Sequence, residues 1–269
     1  MPLLTFVIPV RHQDNSPDWG RLCANLSQTL ASIAAQTHDD WEGVVVANEG
    51  AQLPPLPKRF RVERVAFPPN RIHERGDATR DDFLDAFRID KGQRVLAGML
   101  GARDSRYFMI CDDDDFVSRD IVAHVSQNAD TIGWKIDRGY AWTDGGSLFY
   151  EHDDFNHICG TSLIIRSDVY ELPDSMEAAD RRWVMEMLGS HHGVDKVLEQ
   201  RGTPLVPLPF RGAVYRVGHA GSHSQTPGIL QRFVFTPGWA RRVRGTARQV
   251  LKLRPITAGL KRDYFGAAG

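Results

Sequence analysis

The residues best equipped for chemistry are four adjacent carboxylates, Asp112, Asp113, Asp114 and Asp115, set directly after the apolar run Tyr107-Phe108-Met109-Ile110-Cys111. That run has the length of a buried strand and is too short for a helix. Successive side chains of an extended chain point to opposite faces, so Asp112 and Asp114 are expected to converge while Asp113 and Asp115 diverge. Two carboxylates held together repel unless positive charge lies between them. Mg²⁺ or Mn²⁺ suits that place, being a hard cation that prefers oxygen ligands and keeps positions open for water and phosphate. An arbitrary acidic run is more often a solvated turn. Here it follows a buried strand, and ligands of open α/β sheets bind beyond the carboxyl ends of strands.

For that strand end to matter, the strand must sit in a sheet covered by helices. Residues 3–10 are apolar on both faces, which predicts such a strand. Leu22, Leu26, Leu30, Ile33 and Ala34 recur at helical spacing within an amphipathic helix over residues 21–36. Residues 41–48 form the next strand, so strand, helix and strand make the βαβ unit of a parallel sheet. A third strand is expected near residues 61–67. Residues 71–90 are dense in charge and read as an exposed loop entering a short helix, with 71–80 composed like a lid over a ligand. Helical spacing resumes over residues 91–102, and another helix is expected over 120–128. Beyond that the pattern changes. Strands are expected over 141–150 and 158–166, and helices over 177–187 and 192–200, the latter stopped by Gly202. The fold class is α/β: a mostly parallel central sheet flanked by helices, with a mixed second half. Trp142-Thr143-Asp144-Gly145-Gly146 has the small-residue looseness of a ligand-facing loop.

The 269 residues suffice for one large domain, with 42% hydrophobic and 25% charged residues as in ordinary globular proteins. A net charge of −1 argues against a nucleic-acid role. Cys23, Cys111 and Cys159 are odd in number and far apart, which fits a reduced compartment. No run approaches the roughly 20 apolar residues of a membrane span, and the first ten residues lack a basic leader. The expected location is cytoplasmic. The tail interleaves basic residues such as Arg241, Arg244, Arg248 and Lys252 with Val243, Val250 and Leu251. It suits either a solvated terminal helix or peripheral contact with the inner face of an anionic membrane.

Several segments, in order, resemble the family 2 glycosyltransferases of the GT-A (nucleotide-diphospho-sugar transferase) fold. Phe6-Val7-Ile8-Pro9-Val10 looks like that family's first strand, and Leu26, Thr29-Leu30, Ser32-Ile33, Gln36-Thr37 and Trp41-Glu42 like its first helix and the turn after it. Lys91-Gly92, Arg94 and Gly98, followed by Tyr107 and Asp112-x-Asp114, are similar to its approach to a metal-binding Asp-x-Asp. Tyr215-Arg216, His219 and Ser222 resemble its closing segment.

The resemblance implies a donor half over residues 1–118, an acceptor half over 119–235 and a basic tail over 236–269. It implies that Pro9, Val10, Arg11, Asn48 and Glu49 border the nucleoside, with Lys91, Arg94, Asp112 and Asp113 completing the donor site. Asp112, Asp114 and His219 would hold Mn²⁺ or Mg²⁺. Two departures stand out. Arg11 replaces a common aromatic, and a guanidinium also stacks on a base. Ala47-Asn48 replaces paired aspartates, and the Asn amide can still bond a uracil edge, which favours UDP-sugars. The family's acidic base positions fall near Ser190-His191, counted back from Arg201-Gly202. His191 or His192, oriented by Asp195 one helical turn on, form the candidate base, with Asp195 itself or Asp180 as alternatives. The implied function is metal-dependent, inverting transfer of a hexose to a hydroxyl of a glycan or lipid-linked acceptor. The alternatives are a nucleotidyltransferase, for which the first loop lacks glycines, and a nucleotide-sugar-binding module without catalysis.

Overall fold

Strands β1 (Leu4–Pro9), β2 (Trp41–Asn48), β3 (Phe60–Val65) and β4 (Tyr107–Ile110) lie parallel in the order β3-β2-β1-β4 in the computed structural model, which describes residues 1–72, 78–218, 227–236 and 243–266. β5 (Phe116–Val117) belongs elsewhere, but β6 (Gly133–Lys135), β9 (Leu163–Arg166) and β10 (Val206–Pro207) extend this sheet to seven strands. Only β9 runs antiparallel to its neighbours. β1 is buried at every position, as a two-sided apolar strand requires.

Helix α1 (Trp19–Ala34) starts on Asp18, whose carboxylate accepts the Arg21 N–H, and buries Leu22, Leu26, Leu30 and Ile33. Helix α2 (Arg80–Leu100) is one continuous helix of 21 residues, capped by Thr79. The expected break before Lys91 is absent because residues 80–90 contain no proline or glycine to stop the helix.

After α3 (Ile121–Gln127) the chain builds a second sheet. β7 (Gly139–Thr143) and β8 (Leu148–His152) form a hairpin in place of the single strand expected over 141–150. Its turn uses Gly145 at φ 73°, a left-handed conformation that glycine adopts freely. β11 (Ala213–Val217), β12 (Leu253–Pro255) and β5 complete the order β12-β8-β7-β11-β5. The helices expected over 177–187 and 192–200 are shorter. α4 (Arg181–Trp183) runs into a π-turn at Val184–Leu188, and α5 (Val194–Gln200) follows. α6 (Val243–Val250) and α7 (Ala258–Phe265) close the chain. Residues 253–266 are therefore part of the body: β12 is an edge strand, and the Tyr264 hydroxyl donates to Arg211 O at 2.6 Å. The whole is the mostly parallel, helix-covered sheet with a mixed second half that the GT-A resemblance implies.

Candidate functional site

The acid run does not continue the strand. β4 ends at Ile110, and the Asp115 N–H donates to Asp112 O at 3.3 Å, which closes a tight turn. Alternation across faces therefore fails here: Asp115 diverges from Asp112 and Asp114 as expected, but Asp113 stays partly exposed with them. Asp115 points into the protein, where its carboxylate accepts from Thr161 Oγ1 (2.7 Å), Cys159 Sγ (3.1 Å) and the Arg216 N–H (3.2 Å). Burial, with Asp114 and Asp112 adjacent, raises this acid well above the carboxylate range. Asp112, Asp113 and Asp114 remain partly exposed on the outside of the turn.

Asp112 faces α2, where the Lys91 ammonium forms an ion pair with it. Its backbone N–H donates to Thr161 Oγ1 at 2.9 Å, so one threonine holds both ends of the turn. Burial acts to lower the Lys91 ammonium, but Asp112 more than offsets this and the net shift is upward. Lys91 thus stays charged. Gly160 keeps the adjoining space open: a Cβ there would lie 2.7 Å from Asp112 Oδ2 and 3.0 Å from Lys91 Nζ.

His191 lies near the same lysine. Lys91, Ile110, Gly160, Tyr170 and His191 line a narrow crevice of about 10 Å³, room for about one water. Two glycines bring these elements together. A Cβ on Gly189 would sit 1.9 Å from Arg88 O, and one on Gly92 2.5 Å from Val184 O, so only glycine permits α2 and the π-turn to pack this closely. Burial first, then His192 and Lys91, lower the His191 imidazolium to about 3. The ring is neutral, and its Nε2 is buried without a hydrogen-bond partner. The His192 ring lies 4.0 Å away and is also lowered, chiefly by burial.

The expected shared helical face of histidine and Asp195 is not formed. Gly193 at φ 83° turns the chain, and α5 begins only at Val194. Both histidines precede the helix. Asp195 pairs instead with Lys135 at 3.1 Å, which also meets Asp137 at 3.3 Å.

On the donor side, Pro9 and Val10 are buried at the end of β1, Arg11 is half-buried beyond it, and Glu49 is exposed. Asn48 and Arg94 face each other in the interior, contrary to an open ligand contact. Arg94 donates to Asn48 Oδ1 at 2.6 Å and grips both oxygens of Asp90. The Asn48 amide donates to Phe67 O at 2.6 Å, so its donor and acceptor both have protein partners. The pair braces β2 against α2.

The opposite flank of the turn holds a cluster that the sequence pattern did not reveal. Arg216, fully buried, donates to Asn25 Oδ1 and Gln28 Oε1 of α1 and lies over the Phe116 ring at 4.6 Å. Asp144 lies 3.9 Å from Arg216 Nε and pairs with Arg21. These partners are nearly 190 residues apart in the chain, so no local spacing announces them.

Among the described residues no three His, Cys, Asp or Glu side chains converge as a metal shell. His219 and His223 lie outside the described residues, as do 73–77 of the expected lid. The oxygen donors of Asp112 and Asp114 still fit a hard cation that completes its shell with water and phosphate oxygens, and Gly160 leaves the side of Asp112 accessible. Among the described residues no helix is long and apolar enough to cross a membrane.

No family model and no curated protein matches the chain. Among solved structures, a 1–349 piece of TarS from S. aureus is 11% identical over 80% of this chain and 60% of that one, with a TM-score of 0.44. A longer TarS structure is 12% identical over 80% of this chain and 37% of that one, with a TM-score of 0.38. A protein described as a nucleotide-diphospho-sugar transferase, from Desulfovibrio desulfuricans G20, is 12% identical over 93% of this chain and 98% of that one, with a TM-score of 0.36. The chain thus spans less than two thirds of either TarS structure.

Proposed function

We propose that the protein is a glycosyltransferase that moves a hexose from a nucleotide-diphosphate sugar to a hydroxyl of a glycan or lipid-linked acceptor. The observation that carries this reading is the acid turn at the end of the central strand β4, flanked by the charged Lys91 and the neutral His191. Carboxylates, an ammonium and a free imidazole nitrogen are what a diphosphate leaving group and an attacking hydroxyl need.

Asp112 and Asp114 would hold Mn²⁺ or Mg²⁺, which supplies charge neutralisation at the departing diphosphate. Lys91 adds a fixed positive charge beside the same phosphates. In the transfer, the acceptor oxygen bonds to the anomeric carbon as the bond from that carbon to the phosphate oxygen breaks. The electron pair leaves with the nucleoside diphosphate. The acceptor proton passes, through the one water the crevice admits, to His191 Nε2, which is buried and unpartnered in the fold. A diphosphate arriving beside Lys91 raises the His191 imidazolium from its depressed value towards neutrality, where a general base is most effective. By family resemblance the displacement is single and inverting. Asp144, held by Arg21 and Arg216 on the other flank, lies within the loop of residues 142–146, which would face the acceptor.

Incubation with a panel of nucleotide sugars and Mn²⁺ tests the reading. Slow release of the nucleoside diphosphate from one donor is expected, since water can replace the acceptor. Donor binding with no hydrolysis at all would point to a binding module instead.

A further inference from the structure

The charge of the chain is divided along its length. From Gln200 to Arg262 the sequence holds twelve Lys or Arg and no Asp or Glu, whereas residues 1–199 hold 21 Lys or Arg against 33 Asp or Glu. Some of the twelve are engaged within the fold. Arg216 is buried, Arg211 meets Glu151 and Asp153, and Arg201 lies 3.6 Å from Glu171. Others collect where α6, β12 and a π-turn at Leu230–Val234 meet the edge of the second sheet. Arg248 and Arg254 are exposed there, while Lys252 and Arg254 also pair with Asp153 and Glu151.

The same region carries apolar side chains in solvent. Six large hydrophobic residues are exposed among the described ones, and four of them lie here: Leu251 (72%), Val250 (44%), Phe235 (44%) and Leu230 (41%). The elements form one unit. Phe233 stacks on Tyr150 at 4.7 Å, the Tyr150 hydroxyl bonds Gln249 Oε1, and Leu253 pairs with Tyr150 across β12 and β8. Cations beside exposed aliphatic and aromatic groups match a bilayer interface, where anionic headgroups attract the former and the acyl boundary accepts the latter. A soluble polyanion would draw on the cations and gain nothing from Leu251.

We propose that this surface docks on an anionic lipid bilayer. The site and the docking face are connected: the Ile229 N–H, at the start of the π-turn, donates to Thr143 Oγ1 at 2.8 Å, one residue from Asp144. Docking would bring the acceptor loop near the membrane surface, where a lipid-linked acceptor resides. The inference needs no turnover and stands if the donor reading fails.

Sedimentation of the full chain with vesicles tests it. Binding to phosphatidylglycerol-containing vesicles is expected, with little to vesicles of phosphatidylcholine alone, and with loss at high salt. Arg248→Gln should weaken binding about fivefold, the worth of one cation near such a surface. Leu251→Asp, at a position too exposed to affect folding, should weaken it more. Absence of binding to anionic vesicles would overturn the proposal. So would retention on a heparin column that Leu251→Asp leaves unchanged together with indifference of vesicle binding to the same substitution.

Discussion

Lys91 and His191 share one crevice and respond to burial in opposite ways. The lysine keeps its proton because Asp112 lies against it; the histidine gives its proton up because burial disfavours its charged form, with His192 and Lys91 adding to the effect. His191→Ala is expected to lower kcat by about 10²- to 10⁴-fold, the usual contribution of a general base, while His192→Ala leaves most activity in place. Steady-state kinetics on the donor identified by hydrolysis would show the split. The same burial makes a pH prediction. The His191 imidazolium is held at about 3, against an ordinary value near 6.5, so its neutral form is favoured by the fold. The stabilisation is complete above about pH 6.5 and is lost as pH falls from there through about 3. Replacing His191 with Gln should flatten that part of the stability profile, as measured by thermal unfolding at several pH values. The histidine pair was reached by counting back from Arg201-Gly202 to the base positions of the resembling family, a count that says nothing of what packs beside the rings. Spacing alone placed Asp195 on the same helical face, and Gly193 in the left-handed conformation removed the histidines from the helix.

At the scale of elements, the site depends on two close approaches. The first is the turn between β4 and β5, pinned from inside by Asp115. Asp115→Ala would orphan the Thr161 hydroxyl and the Arg216 N–H, at about 1–3 kcal/mol for each buried group left unpaired. Asp115→Asn keeps an acceptor and should cost less; urea unfolding of the two variants would show the order. The second approach is α2 against the π-turn. Gly189→Ala places a Cβ 1.9 Å from Arg88 O, so a loss of at least about 1–3 kcal/mol is expected, with His191 displaced from Lys91. A melting temperature matching the parent would contradict that packing. Strands β1, β2 and β4 were legible because strands buried on both faces are apolar throughout. β5, with two residues, and β6, with three, are too short for any periodicity to register. Asp113 does not join Asp115 for a related reason: the alternation rule holds only while the chain stays extended, and the i to i+3 hydrogen bond of the turn ends it.

Across the whole molecule, the single central strand end draws on residues from nearly the full chain. Lys91 from α2, Gly160 and Thr161 before β9 and Arg216 in β11 meet the acid turn directly, Asn25 and Gln28 of α1 hold Arg216, and His191 before α5 shares a crevice with Lys91. A net charge of −1 conceals the separation of acidic and basic halves, because composition averages over it. The C-terminal residues, expected as a tail from 236, return to the body through β12 and α7, and removing 253–269 should lower the melting temperature by exposing Phe149 and Ala31. Which groups meet across such distances is a property of the fold and leaves no mark in local spacing. The central claim, that the acid turn grips the diphosphate of a nucleotide through a divalent cation, is tested most directly by calorimetry with the nucleoside diphosphate that the donor panel releases. The account predicts binding to the parent protein in Mn²⁺, loss on chelation by EDTA, and at least a tenfold weaker affinity for Asp114→Ala in Mn²⁺. Equal affinity for the parent and Asp114→Ala, unaffected by EDTA, would contradict it.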